Sequence, residues 1–431
     1  MSPGSTHPLR ALRHRNYRLF FSGQTVSLVG TWVTRIATSW FVYRLTGSAW
    51  MLGLVSFFSL VPTLLFGPAA GVLVDRWDRH RLLVITQVLS MAQSAALAGL
   101  AFAGLLDVPG VMLLMFAQGV INAIDTPARQ ALVVQMVEDR ADLPNAIALN
   151  SSMFNGSRLA GPAIGGALVA TAGEAWCFAL DALSYVAVIA SLMLMRMPRT
   201  VSERRGGGPA AFMGELREGL RYAFGFAPAR ALLTVVALVS MLGMPYTVLM
   251  PDIAARVLGG GPGTLGWLMA AAGGGALTGA GYLASRRSVV GLGRVIVIGA
   301  TGFGLALTAF AFVRSFTLAM VVLPFVGAML LVTSSSCNTV LQTILPEALR
   351  GRVMALYSTA FLGSAPIGSL IAGALASRIG TQWTIAACGV GCMLTGAWIG
   401  RTLPQIRRLV RPIYIENGII PANEVPASVA R

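Results

Sequence analysis

Long stretches of apolar residues alternate with short polar, arginine-rich segments along the whole chain. Each of twelve such stretches is about the length that a helix needs to cross a bilayer core, roughly 20 residues. They lie near residues 17–43, 50–74, 82–106, 111–133, 145–172, 175–195, 231–257, 263–284, 294–313, 317–344, 352–377 and 382–402. The pattern predicts an all-α integral membrane protein with twelve transmembrane helices.

A polar segment, residues 196–230, separates the first six stretches from the last six. In its later part apolar side chains recur every four positions opposite charged ones, which predicts an amphipathic helix on the cytoplasmic membrane surface. These side chains are Phe212, Leu216, Leu220 and Phe224. We therefore expect an N-terminal six-helix half (1–195), a cytoplasmic linker (196–230), a C-terminal six-helix half (231–402) and a cytoplasmic tail (403–431).

Short matching sequences recur in the two halves at nearly constant spacing. Segment 71–76 matches 281–286 at a distance of 210 residues, and segment 166–168 matches 373–375 at a distance of 207 residues. Near-constant offsets are typical of parallel repeats in transporters. The two halves are therefore predicted to be parallel repeats.

Composition excludes a soluble globular domain, because 55% of the 431 residues are hydrophobic and only 11% are charged. The net charge of +16 comes with an uneven distribution of the 32 arginines. In the twelve-helix layout 26 of them fall on one side of the membrane. Arginine marks the cytoplasmic side and attracts anionic lipids, so both termini are predicted to be cytoplasmic, and nucleic acid is not an expected partner.

The first apolar stretch follows four arginines and is too long for a cleavable signal sequence, so we expect a retained first helix. The chain is predicted to lie in a bacterial cytoplasmic (inner) membrane. Its four cysteines lie in apolar stretches, and Cys388 and Cys392, one helical turn apart, have no histidine or carboxylate near them, so neither a metal site nor a cofactor is predicted. The chain also lacks a phosphate-binding loop and a Ser/His/Asp set, which argues against an enzyme.

The loop after the second stretch has the spacing G-x-L-x-D-R-x-x-R-x-R between Gly71 and Arg81. This spacing resembles the loop between helices 2 and 3 of the major facilitator superfamily of secondary transporters. The resemblance implies an interdomain latch formed by Gly71, Asp75, Arg76 and Arg79. An ordinary basic membrane loop is the alternative interpretation.

The fifth stretch contains Gly161, Pro162, Gly165 and Gly166. Proline removes a backbone donor and bends a helix, and the glycines permit close packing at the bend. This pattern is similar to the antiporter motif of drug:proton exporters in the superfamily. A kinked packing helix, which other transporters also use, is the alternative.

Segments 125–133, 346–353 and 411–418 resemble the drug:proton antiporter branch that contains the enterobactin exporter and the macrolide efflux proteins. The resemblance covers roughly residues 9–420. One departure concerns the fourth helix, where Met115 stands in the place of an arginine that the superfamily's drug exporters often have. A coupling role of that arginine cannot be transferred to this chain.

Ionisable residues within the membrane are costly and are candidates for function. The proton-coupling candidates are Asp125, then Asp181, with Arg158 and Arg35. A structural ion pair between Asp181 and Arg158 is an equal alternative. The three histidines lie at the cytoplasmic surface, so a carboxylate would have to carry the proton.

The resemblance implies that helices 1, 4, 7 and 10 line a central cavity. Polar residues at helical spacing support this for helices 1 and 4, although interhelical hydrogen bonding would explain them as well. The candidates for substrate contact are Gln24, Ser27, Thr31, Gln118, Asn122, Tyr246, Ser334 and Asn338.

The sequence thus favours a monomeric secondary active transporter that exports a bulky amphipathic small molecule, of siderophore or drug type, by proton antiport with alternating access. The alternatives are a lipid or lysolipid transporter and a non-transporting membrane scaffold or sensor. Polar stripes within the membrane argue against a scaffold, which does not need them.

Overall fold

The computed structural model describes residues 9–196, 209–286 and 288–421, and this part of the chain is helical without a β-strand. The N-terminal helices are α1 (Arg15–Thr46), α2 (Ala49–Arg76), α3 (Arg79–Phe102), α4 (Val108–Met136), α5 (Leu143–Ala172) and α6 (Glu174–Leu194). The remaining helices are α7 (Pro209–Gly225), α8 (Ala227–Gly243), α9 (Pro245–Asp252), α10 (Pro262–Ser285), α11 (Leu292–Ala311), α12 (Phe316–Ile344), α13 (Glu347–Ile379) and α14 (Thr381–Glu416).

Short loops join the long helices, and local side chains or glycines end them. Asp78 and Asp107 cap α3 and α4, because their carboxylates accept hydrogen bonds from Arg81 N (3.0 Å) and Gly110 N (2.8 Å). The α1–α2 turn passes through Gly47 at φ 56°, a left-handed conformation that favours glycine. These short turns therefore reverse the chain between sequential helices.

Nine helical segments of the described chain are long and apolar enough to cross a membrane. The long helices α1, α5 and α10 are not among them, since polar residues or glycines lower their hydropathy. The expected all-α membrane fold is confirmed at this level. Three of the twelve predicted spans are therefore helical but less apolar than the other nine.

Apolar packing differs between the parts of the chain before and after α7. Helices α8 to α14 share one large core, which includes Leu268, Phe303 and Cys337. Helices α1 to α6 have two main clusters at opposite ends, one around Phe41 and Phe178 and the other around Tyr17, Leu83 and Leu192. Polar side chains occupy the space between these two clusters.

Two glycine contacts join the two groups of helices. A Cβ atom on Gly166 of α5 would lie 2.7 Å from Cα of Gly266 in α10, and one on Gly53 of α2 would lie 2.9 Å from Cα of Gly373 in α13. These contacts lie towards the side of the bundle at which α1 ends, which we call the distal side. The side at which α1 begins is the N-terminal side. Such separations require glycine on both helices.

The same four helices have open space around glycines towards the N-terminal side. A Cβ atom on Gly67 (α2), Gly156 (α5), Gly281 (α10) or Gly351 (α13) would meet no described heavy atom within 4 Å. The two groups of helices are thus tightly joined at the distal side. We find no comparable glycine contact between them towards the N-terminal side in the described chain.

Three segments outside the long spans have defined positions. Helix α7 lies within the predicted linker, exposes Phe224, and forms an ion pair from Glu218 to Arg352 of α13. The chain before α1 packs on the α4–α5 loop, where Asp142 binds Arg13 (2.8 Å). Helix α14 runs past residue 402 to Glu416, so the first part of the segment that we predict as the tail is helical.

Candidate substrate and coupling site

Asp125 lies in α4 and is buried against α3. Its Oδ1 accepts hydrogen bonds from Thr86 Oγ1 (2.9 Å) and Gln87 Nε2 (2.6 Å). Arg129, one turn later in the same helix, places its guanidinium 3.0 Å from Oδ2. The negative charge of the carboxylate is therefore compensated by a cation of its own helix.

Asp181 lies in α6 and is only 2% exposed. Its Oδ2 accepts a hydrogen bond from Ser94 Oγ of α3 at 2.8 Å. Its other oxygen lies beside α1 at Gly30, where a Cβ atom would approach Oδ1 to 2.7 Å. Among the described residues we find no ion pair between Asp181 and Arg158, so the structure does not bring these two candidates together.

A polar stripe on α3 connects the surroundings of the two carboxylates. Ser90 lies between Gln87 and Ser94, and its Oγ accepts a hydrogen bond from Gln118 Nε2 of α4 (3.1 Å). Gln118 also donates to Asn122 Oδ1 (3.1 Å). The candidates on α4 thus form hydrogen bonds with α3 and within their own helix. About 10 Å of helix rise separates Gln87 from Ser94.

The α3 stripe is a feature that the sequence analysis missed. Its buried members are Thr86, Gln87, Ser90, Gln93 and Ser94. They recur at intervals of three or four residues, which is the same signal that marked helices 1 and 4. A search for polar periodicity in every apolar stretch would have found them.

The candidates on α1 fall into two groups. Gln24 and Ser27 are buried inside the α1–α6 bundle, and Thr31 donates a hydrogen bond to the Ser27 carbonyl (3.0 Å). Arg35, further along, is exposed although Thr34 and Ile36 on either side of it are buried. The Arg35 guanidinium stacks on the Trp32 ring, 4.9 Å from its centroid.

Arg35, Arg158 and Tyr246 come together from three different helices. Trp32 lies between the two arginines along the α1–α5 contact, since its ring packs under Arg35 and its side chain packs on Gly161, three residues after Arg158. The Arg158 charge acts on both the Arg35 guanidinium and the Tyr246 hydroxyl. At 1.5 Å rise per residue, Arg35 and Arg158 lie about 17 and 21 Å from the distal ends of α1 and α5. Tyr246 lies about 17 Å before Val257, where the helical turns that continue α9 end. Three candidates that were proposed on separate grounds thus form one cluster at similar depth, which we call the arginine cluster.

Two prolines shape the backbone at this depth. Pro245 follows the break between α8 and α9 and places Tyr246 in the first turn of α9. Pro162 has no N–H, so the carbonyl of Arg158, four residues earlier, has no helical donor. Gly273 of α10 packs on that carbonyl, and a Cβ atom there would lie 2.7 Å from the oxygen.

The glycines of the fifth-helix motif have separate neighbours. Gly161 packs on Trp32, and Gly165 packs on Val33, where a Cβ atom would approach the Cα atom to 3.0 Å. Gly166 makes the contact with α10 described above. Since α5 continues through Pro162 as one helix, the motif joins α5 to α1 and to the second group of helices.

The latch candidates are described only in part. Gly71, Asp75 and Arg76 belong to the last turns of α2, and their side chains lie outside the described residues. Arg79 begins α3. The adjacent His80 holds this turn against α6, since its Nε2 lies 2.8 Å from the Leu192 carbonyl oxygen.

The candidates in α12 contact neighbours within the second group of helices. Ser334 donates a hydrogen bond to the Leu330 carbonyl (3.0 Å), and its own carbonyl accepts one from Tyr357 (2.8 Å). Asn338 accepts a hydrogen bond from Gln342 (2.6 Å). Both residues are half-buried. These contacts give α12 no link to the arginine cluster.

Asp252 is a buried carboxylate that the sequence analysis overlooked. It lies at the end of α9, accepts a hydrogen bond from Thr381, and has Arg256 Nε 3.1 Å from its Oδ1. Arg256 in turn contacts α1, through Tyr43 Oη (3.2 Å) and the Gly47 carbonyl. The pair therefore joins the two groups of helices at the distal side. The i,i+4 spacing of an acid and a base was the available signal.

The sequence profile of the transmembrane secretion effector family matches residues 6–410. The chain belongs to this family, within the major facilitator superfamily. It is 30% identical over 393 residues to the multidrug efflux pump Tap of Mycolicibacterium fortuitum, covering 88% of this chain and 93% of the pump. It is 26% identical to the staphyloferrin A transporter of Staphylococcus aureus, covering 86% of this chain and 92% of that protein.

Solved transporters share the fold of this secretion effector at low sequence identity. A peptide transporter of the POT type in complex with sulfate has a TM-score of 0.74 at 12% identity and covers 94% of this chain and 99% of its own. A bacterial homologue of the lysosomal transporter Spinster, inward-facing and unoccupied, has a TM-score of 0.70 at 15% identity and covers 95% and 99%. The predictions of a major facilitator transporter, and of a transporter as opposed to an enzyme, are confirmed.

Proposed function

We propose that the protein exports a bulky amphipathic small molecule of drug or siderophore type across a bacterial cytoplasmic membrane, by proton antiport with alternating access. The observation that carries this proposal is the position of the arginine cluster. It lies between helices of both groups, at the level where Gly273 of α10 packs on the Arg158 carbonyl of α5. A midplane site between two helix groups is the arrangement that alternating access requires.

The similarity to known exporters supports export as the direction of transport. A multidrug efflux pump and a staphyloferrin A transporter both align with most of the chain. The motif at Gly161 to Gly166, which resembles that of antiporters, agrees with export. We therefore extend to this chain the transport of a drug-type or siderophore-type molecule.

The proposed architecture is two parallel six-helix repeats, with α8 and α9 together forming the seventh span and α1, α5 and α10 completing twelve. Gly166 and Gly373, which lie 207 residues apart, occupy corresponding places in the two inter-half contacts. Their partners Gly266 and Gly53 lie 213 residues apart, which is close to the same offset. This pairing supports a duplication.

The proposed orientation places both termini in the cytoplasm. Arginines are concentrated on the N-terminal side of the bundle, as expected for the cytoplasmic face, where they also attract anionic lipids. Closure at the distal side and open glycines at the N-terminal side then correspond to an inward-facing state of a monomer. In the outward-facing state the Arg256 contacts to α1 would have to break.

We place the coupling proton within α1 to α6. Asp181 has hydroxyl partners, whereas Asp125 has Arg129. We therefore rank Asp181 before Asp125 as the proton carrier, which reverses the order favoured by the sequence. Ser90 and Tyr185 lie between the two carboxylates and offer hydrogen-bonding groups along the way. The latch at Gly71, Asp75, Arg76 and Arg79 remains a proposal from the family resemblance.

A lipid or lysolipid transporter is the second candidate. An apolar groove of about 280 Å³ lies between α10, α11 and α12, and Tyr282, Ile298 and Met329 are among its lining residues. Ile298 is 65% exposed, so the groove opens to the bundle surface, where an acyl chain would fit. The arginine cluster favours the first candidate, because it lies inside the bundle.

Reconstituted vesicles with an imposed pH gradient test the proposal. Uptake of a fluorescent amphipathic dye into inside-out vesicles should require the gradient and should collapse with a protonophore. Mass spectrometry of supernatants from a deletion strain and its complemented parent, under iron starvation, then identifies a natural substrate. Transport that is independent of the gradient in wild-type vesicles would contradict antiport.

A further inference from the structure

The arginine cluster contains two positive charges without a negative one. The ion pairs of the described chain use Arg10, Arg13, Arg44, Arg129, Arg256 and Arg352, and neither Arg35 nor Arg158 is among them. Arg35 is exposed and Arg158 is half-buried, so both guanidiniums are accessible to a ligand, and their two like charges favour an anion between them. An aromatic face is the only partner that the described contacts give Arg35.

Tyr246 adds an unpaired hydroxyl to the same place. The residue is 2% exposed, and its Oη forms no hydrogen bond of good geometry with a described residue, although the Arg158 guanidinium lies within reach of it. Buried polar groups are normally paired, and an unpaired one points to a ligand or a water. Ser157, next to Arg158, has a buried Oγ that likewise has no partner in the described chain.

From this arrangement we infer that the cavity selects organic anions: Arg35 and Arg158 bind an anionic oxygen group of the transported molecule, and Tyr246 donates a hydrogen bond to it. The inference deepens the proposed export function and rests on it. Guanidinium groups bind carboxylates and phosphates through two parallel hydrogen bonds, and an amphipathic cation would be repelled. Arg35 and Arg158 are thus specificity-determining residues.

Other charges near the cluster do not cancel this preference. Asp181, on the other face of α1, accepts a hydrogen bond from Ser94, and Asp125 is paired with Arg129. Asp252 is paired with Arg256. Asp125 and Asp252 are thus compensated by arginines of their own helical segments. The second oxygen of Asp181 has no hydrogen-bond partner among the described residues and lies beside Gly30 of α1.

The test compares two dyes with the same xanthene ring system and opposite charge. The purified full chain in nanodiscs is titrated with carboxyfluorescein, an anion, and with rhodamine 123, a cation, and binding is followed by fluorescence anisotropy. Wild type should bind the anion at least tenfold more tightly. Arg35→Gln and Arg158→Gln should each weaken carboxyfluorescein binding by about ten- to hundredfold, as expected when one member of a charged pair is removed.

Two sets of variants control for misfolding and for charge in general. Arg35→Lys and Arg158→Lys keep the charge and should retain part of the affinity. Arg314→Gln removes an exposed arginine from the α11–α12 loop and should bind both dyes as wild type does. The inference is overturned if wild type shows no saturable carboxyfluorescein binding, if it binds rhodamine 123 equally well, or if the Gln variants bind like wild type.

Competition identifies the source of the anionic group. Displacement of carboxyfluorescein by citrate supports a free polycarboxylate as the ligand. Displacement by lysophosphatidylglycerol supports a lipid headgroup. If neither compound displaces the dye, the result counts against an anion site. Dye flux in vesicles separates this inference from export. Anion binding without gradient-driven flux would refute export alone, and flux of rhodamine 123 without carboxyfluorescein would refute the anion site alone.

Discussion

The two groups of helices have similar construction but different interiors. In α1 to α6 the buried polar side chains bond across helices, as Gln87 does to Asp125 and Ser94 does to Asp181. In α8 to α14 four of the eight in the described chain are hydroxyls that bond to their own helix, as Thr333 does to the Met329 carbonyl. Of the others, Ser240 and Thr381 donate across helices. A continuous apolar core surrounds them.

This difference indicates where the transport chemistry is located. A hydroxyl that donates to a carbonyl one turn back in its own helix has its hydrogen bond without any contact from a neighbouring helix. An interhelical network instead depends on the mutual position of three helices, so it can respond to a rearrangement. We therefore expect substitutions of buried polar residues in α1 to α6 to affect transport, and those in α8 to α14 to affect stability slightly.

The largest expected effect is that of Asp181→Asn. The amide cannot take up a proton, so gradient-driven dye uptake should fall to background while the protein still inserts into the membrane. Uptake is measured in inside-out vesicles at several external pH values. Asp125→Asn is measured in parallel, because Asp125 is the second candidate for the proton carrier. Full pH-dependent transport by Asp181→Asn would exclude Asp181 as the carrier.

Gly166→Ala tests the contact between the two groups of helices. The added methyl would overlap Gly266 and should cost about 1–3 kcal/mol of stability, as overpacking does. Thermal unfolding in detergent measures the change through intrinsic fluorescence. Gly156→Ala is the matched control in the same helix, because its Cβ would meet open space. Equal destabilisation by both substitutions would contradict the described interface.

Ser94→Ala and Ser336→Ala compare one buried hydroxyl from each group. Ser94→Ala removes the donor to Asp181 and should cost about 1–3 kcal/mol, because a buried acceptor loses its partner. Ser336 Oγ has no partner among the described groups, so its removal should change stability by less than about 1 kcal/mol in either direction. Chemical denaturation and dye uptake would both be recorded. A larger loss of stability or of dye uptake in Ser336→Ala than in Ser94→Ala would contradict the difference between the two groups of helices.

The smallest effect concerns pH and the segment before α1. The hydrogen bond from His14, with Arg13 and Arg10 nearby, lowers the pKa of Asp142 below its usual value. Stability from this contact is therefore present above about pH 4, the ordinary pKa of an aspartate, and is lost as pH falls through the lowered value. The hydrogen-exchange protection of residues 10–14, which is the intrinsic exchange rate divided by the observed rate, should be constant between pH 5 and 8. Reduced protection of this segment between pH 5 and 8 would contradict control by the Asp142 carboxylate.

The sequence alone determined the elements and the class of the protein. Apolar stretches of bilayer length form helices because the hydrocarbon core offers no other partner for backbone N–H and C=O groups. Local patterns likewise indicated α7, the motif around Pro162 and the concentration of arginine on one side. These features depend on residues that are close together in the chain, so they could be predicted without coordinates.

Only the tertiary structure decided which polar residues meet. Gln118 and Asp125 lie on the predicted stripe of helix 4 and turn towards α3, whereas Arg35, Arg158 and Tyr246 converge from helices far apart in the chain. Periodicity shows that residues share a helix face, but the packing of the other helices determines what that face contacts. Packing depends on small residues such as Gly166 and Gly273, whose partners lie about a hundred residues away, and sequence periodicity carries no information about such distant contacts.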